Sequence, residues 1–151
     1  MPTAARLVGA VTLSGACGIM VLVLIAVYPN DGLEGDLPLL LGIFMGIGLV
    51  IGWLSLGARL SDPRNETSGF ALGLRAAAAC VFWILVMVGI LTMLDRIRDF
   101  SYREPTEAVL DIFNTAMIYT VYLMNWKVAG TAAVLGAMAG ILTKRAAVLW
   151  R

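Results

Sequence analysis

No histidine occurs among the 151 residues, and charge is scarce: Asp, Glu, Lys and Arg make up 14% of the chain, against roughly 25% in a soluble domain. The first absence removes the side chain most often used as a general acid or base and as a metal ligand near neutral pH. The second leaves too few polar groups to cover a surface that faces water, which excludes an ordinary soluble globular protein. The chain also has no glycine-rich phosphate loop, no paired motif for nucleophilic catalysis and no CxxC spacing, its only cysteines being Cys17 and Cys80. An enzyme is therefore not expected, nor is a cofactor or a nucleic-acid partner.

What is present is apolar, 60% of the residues, gathered into long runs. Leu7 to Tyr28 and Leu37 to Ala58 hold no charged residue at all. At ~1.5 Å per helical residue each reaches about 33 Å, enough for a hydrocarbon core of roughly 30 Å. Phe70 to Leu94 is broken only by Arg75, close enough to one end for its aliphatic stem to lift the guanidinium into the head groups. A fourth run, "VAGTAAVLGAMAGILT", follows Lys127. These predict spans at about 7–28, 37–58, 70–94 and 128–148 of a single membrane domain covering residues 1–151. The first run exceeds a signal-peptide core, and "AVYPND" offers no small-x-small cleavage site, so it is expected to be retained.

Residues 109–126, "VLDIFNTAMIYTVYLMNW", resemble a fifth span but carry Asp111 and Asn114 near the start. Five crossings would leave five of the eleven basic residues inside. Four crossings place Arg6, Arg59, Arg64, Arg75, Lys144, Arg145 and Arg151 there, and basic residues are retained on the cytoplasmic side. On a helix, Glu107, Asp111, Asn114, Tyr122 and Asn125 fall close to one polar stripe with Ile118 its only apolar member, while Val109, Leu110, Phe113, Met117, Val121 and Met124 fall elsewhere. Pro105, Glu104 and Glu107 suit a helix start. The expected fold is an all-α bundle of four transmembrane helices plus an amphipathic interfacial helix over about 105–126, apolar side down and polar side to water, both termini cytoplasmic; the alternative is five transmembrane helices.

Gly42, Gly46, Gly48 and Gly52 in the second run, and Gly136 and Gly140 in the last, have the spacing of helix-packing faces, within one bundle or between copies of the chain. Asp111 is expected to be solvated on the interfacial stripe. Cys17 and Cys80 each lie ten residues into a helix that starts on the same side, so they share a depth. They are the candidate ligands for a soft metal or metalloid if their helices touch. Without a CxxC spacing they read as small apolar fillers, and no crosslink is expected. A carrier or channel would need polar groups at mid-membrane, where only Thr12, Ser14, Ser55 and Thr92 occur. Such hydroxyls can bond back to their own helices.

The opening "MPTAARLV", the "CVFW" of the third run and "GTAAVLGAMAGIL" ahead of a basic end resemble the TrgA family, small bacterial membrane proteins associated with tellurite resistance. The likeness runs through most of the chain and is most specific at the N-terminus. It implies a multi-pass protein of the bacterial inner membrane and a link to tellurite resistance, with no catalytic residue set to carry over. The expected function is non-enzymatic, an accessory factor or partner of other membrane components; a small transporter or channel is the alternative.

Overall fold

With no water to pair backbone amides inside a bilayer, apolar runs satisfy their N–H and C=O groups internally, as helices. The computed structural model describes residues 4–28, 37–60, 68–98 and 105–149, and all its regular elements are helical. Helix α1 is Ala4–Val27. Helix α2 is Leu37–Ile51, carried on through a π-helical stretch, Gly52–Gly57, to a last turn, Ala58–Leu60. Helix α3 is Gly69–Arg98, α4 is Pro105–Leu123 and α5 is Trp126–Leu149. Arg6–Val27, Leu37–Gly57, Gly69–Leu94 and Trp126–Leu149 are long and apolar enough to cross a membrane; α4 is not among them. The connectors at 29–36, 61–67 and 99–104, whose charges enter the orientation reading, and Arg151 lie outside the described residues.

The four long helices form a ring in which α1 packs between α2 and α5, and α3 packs between the same two, so α1 and α3 face each other diagonally. Their buried residues recur at steps of four: Leu13, Cys17 and Val21 on α1, and Leu72, Ala76, Cys80 and Ile84 on α3. These two ridges meet in the middle, joined by Phe44, Ile51 and Leu56 of α2 and Ala139 of α5. The outer surface is apolar as well, with Leu22, Phe82 and Trp83 each more than half exposed. In water such a continuous patch would aggregate; in a bilayer it is ordinary lipid-facing surface.

Glycine decides where backbones touch. A Cβ on Gly48 would stand 2.8 Å from the Leu13 carbonyl oxygen, and one on Gly52 would stand 2.8 Å from the Ala10 Cα. These two residues, four apart, form the α1–α2 seam. Gly42 and Gly46, expected from the sequence on the same packing face, instead have open space beside them. The reason is geometric: Gly48 is two positions beyond Gly46, which turns the two pairs by about 200° on a helix of 3.6 residues per turn. The second seam is reciprocal. Gly136 and Gly140 of α5 meet Gly73, Ala77 and Gly69 of α3, and a Cβ on Gly140 would lie 2.7 Å from the Gly73 Cα.

These seams also set polarity. Gly9, near the start of α1, sits against Gly57 and Thr143, and Gly69, at the start of α3, against Lys144. The beginnings of α1 and α3 and the ends of α2 and α5 therefore share one end of the bundle. At the other end, Tyr28 just after α1 meets Tyr122 of α4, and Met20 receives a hydrogen bond from Thr131 near the start of α5.

Helix α4 stops because Asn125 caps the next helix. Its Oδ1 accepts the backbone N–H of Lys127 at 3.2 Å, the usual way an asparagine satisfies an orphan donor in a first helical turn. One face of α4 packs on the final turns of α3: Gly89 leaves room for Ile112, and Arg96 forms an ion pair with Asp111. Asp111 was expected to be solvated; its side chain is only 13% exposed and turned toward the bundle. Val109, Leu110, Phe113, Met117, Val121 and Met124 are all exposed on the side of the helix away from the bundle. A carboxylate at a membrane boundary is costly unless paired, and α3 extends past its apolar run far enough to supply the guanidinium. Asn114 stays exposed beside that outward side.

Candidate functional site

Beneath α4 lies a cavity of about 330 Å³, at the lower end of the range typical of ligand pockets. Its walls come from α1, α2, α3 and α4, and their chemistry is graded along the bundle axis. The deep part is made by Met20, Val21, Phe44, Val81 and Ile84. Toward the α4 end the lining gains Tyr28, Thr92, Arg96, Tyr119 and Tyr122. The resulting shape is an apolar shaft with hydroxyls and one cation at its mouth.

The mouth is held by a small polar knot. The Tyr28 hydroxyl donates to the Tyr122 carbonyl at 3.2 Å and accepts from Asn125 Nδ2 at 3.3 Å. The Tyr28 and Tyr122 rings meet edge to face with centroids 4.8 Å apart, a favoured aromatic arrangement. Asn125 thus ties the end of α1 to the α4–α5 turn while capping α5. Together with the Arg96–Asp111 pair on the other side, this fixes α4 as a roof.

Three of the four hydroxyls considered for transport, those of Thr12, Ser14 and Thr92, are engaged with backbone. Thr12 donates to the Val8 carbonyl at 2.7 Å and Thr92 to the Val88 carbonyl at 3.0 Å, each within its own helix. Ser14 differs from that expectation: it donates to the Met45 carbonyl of α2 at 3.0 Å, crossing the glycine seam. The close approach at Gly48 brings a serine on one helix within reach of a carbonyl on the next.

Cys17 and Cys80 come together. Both are buried, and both line one small cavity although α1 and α3 are diagonal. The small residues of the glycine seams draw the ring tight enough for both to reach one cavity. A second cavity of about 40 Å³ is lined by both cysteines and by Met20. Among the described residues no group of three His, Cys, Asp or Glu side chains forms a metal cluster.

Tyr28, Arg96 and Thr115 belong to the cavity wall and were not singled out from the sequence. Arg96 had a usable signal, since an acid at a membrane boundary, Asp111, calls for a cation, and the preceding connector is arginine-rich. No family model, curated protein or solved structure matches this chain.

Proposed function

We propose that the chain is a non-enzymatic, four-span protein of the bacterial inner membrane that holds the acyl chain of a membrane lipid in the cavity under α4. In this reading both termini are cytoplasmic and α4 lies in the outer interface, its outward apolar side against lipid. The observation that carries the reading is the gradient of the cavity lining, from aliphatic and aromatic carbon at depth to Tyr28, Tyr119 and Arg96 at the mouth. That order matches a lipid, whose tail seeks the apolar shaft while its polar group meets hydroxyls and a guanidinium. The bilayer supplies such molecules in contact with the protein. Against a carrier or channel stand the hydroxyls of Thr12, Ser14 and Thr92, all given to backbone carbonyls.

Native mass spectrometry of the protein released from mild detergent is expected to show one retained phospholipid per chain. Val88→Trp, which fills the shaft, should abolish retention, whereas Val121→Trp on the outward side of α4 should not. Equal retention in both variants, or none in the wild type, would count against the pocket. The tellurite association implied by the family likeness is proposed as an accessory role. A strain lacking the protein is expected to be more sensitive to tellurite; unchanged sensitivity would remove the association and leave the lipid reading standing.

A further inference from the structure

Three sulfur-bearing side chains, Cys17, Cys80 and Met20, line the 40 Å³ cavity between α1, α3 and α5. The other lining residues are Gly136 and aliphatic side chains; the Thr131 hydroxyl donates to Met20 Sδ at 3.7 Å from outside the lining. The volume exceeds the roughly 10–15 Å³ that admits one water, but water needs two to four polar partners that this lining does not supply. Thiolate and thioether donors select soft metal ions.

We propose that Cys17 and Cys80 bind a single soft divalent metal ion, with the Met20 thioether as a third donor. Both thiols line the same 40 Å³ space, and a metal there needs them roughly 3.8 Å apart, the span of two metal–sulfur bonds of ~2.3 Å at a tetrahedral angle. Charge balance selects a divalent ion. Binding releases both thiol protons, M²⁺ + 2 RSH → M(SR)₂ + 2 H⁺, and the product is neutral, as an apolar interior demands. The larger cavity shares Met20, Val81 and Ile84 with the smaller one and leads from the α4 end toward the sulfurs. The site is independent of whether that larger cavity holds lipid.

Titrating the purified full-length protein in detergent, under reducing conditions, with Cd²⁺ should give a saturating thiolate-to-metal absorption band. One ion per chain and two protons released per ion are expected. Met20→Leu should weaken binding about tenfold. Cys17→Ala or Cys80→Ala should weaken it by more than the ~10–100-fold that changes around metal ligands cost, with circular dichroism confirming that each variant is folded. The proposal is overturned by no saturable band in the wild type, by one proton released per ion, or by undiminished binding in a folded single-cysteine variant.

Discussion

Gly140→Leu is expected to destabilise the bundle by about 3 kcal/mol or more, at the upper end of the cost of overpacking. Lipid tails are as apolar as leucine, so helices in a bilayer gain little from hiding carbon and depend on close backbone contact. At Gly140 that contact is with the backbone of Gly69 and Gly73, and a Cβ would stand 2.7 Å from the Gly73 Cα. Backbone cannot rotate out of the way as a side chain can, so α3 and α5 must separate and the seam between them opens. For a chain of this size ~2–4 °C of melting temperature accompanies each kcal/mol, so a loss of roughly 6–12 °C in detergent follows. Gly46→Leu, beside open space, should melt like the wild type. Equal shifts for the two variants would refute this assignment of seams.

Asp111→Lys should release α4 without unfolding the four long helices. The wild-type carboxylate is mostly buried against α3 and neutralises Arg96; the substitution places a second cation there. Breaking a fully buried pair costs roughly 3–5 kcal/mol, but Arg96 is half exposed and solvent screens part of the repulsion, which leaves about 2 kcal/mol. Opening of α4 should then rise roughly thirtyfold, at ~1.4 kcal/mol per factor of ten. Thr115 is 5% exposed on the bundle-facing side of α4, so a Thr115→Cys reporter reads that opening as its rate of labelling by a water-soluble maleimide. Swapping the pair, Arg96→Asp with Asp111→Arg, should return labelling toward the wild-type rate. Unchanged labelling in Asp111→Lys would mean that the ion pair does not hold the roof.

The four long helices were legible because uninterrupted apolar runs of membrane length have few other uses. The end of α4 was less so: residues 109–126 form one run by hydropathy, and the break depends on Asn125 capping α5 with its carbonyl oxygen while giving its amide to Tyr28. Lateral arrangement was hidden for a different reason. Periodicity says which residues share a face but not which face meets a neighbour, so Gly42 and Gly46 were grouped with Gly48 and Gly52. Gly69 and Gly73 share that four-residue spacing at the edge of the third run and were passed over. The equal depth of Cys17 and Cys80 could be counted along their helices. That both line one cavity depends on the width of the ring, which the α1–α2 and α3–α5 glycine seams set. Asp111 could be recognised as polar, but its orientation depends on Arg96, fifteen positions away.

A pair of reporter fusions tests most directly the claim that the chain crosses four times and carries α4 over a cavity on the outer side. A reporter active only outside the cytoplasm should be silent when fused after Arg151 and active when inserted after Met124, in the α4–α5 turn. Activity after Arg151, with silence after Met124, would make α4 a fifth span and contradict the account.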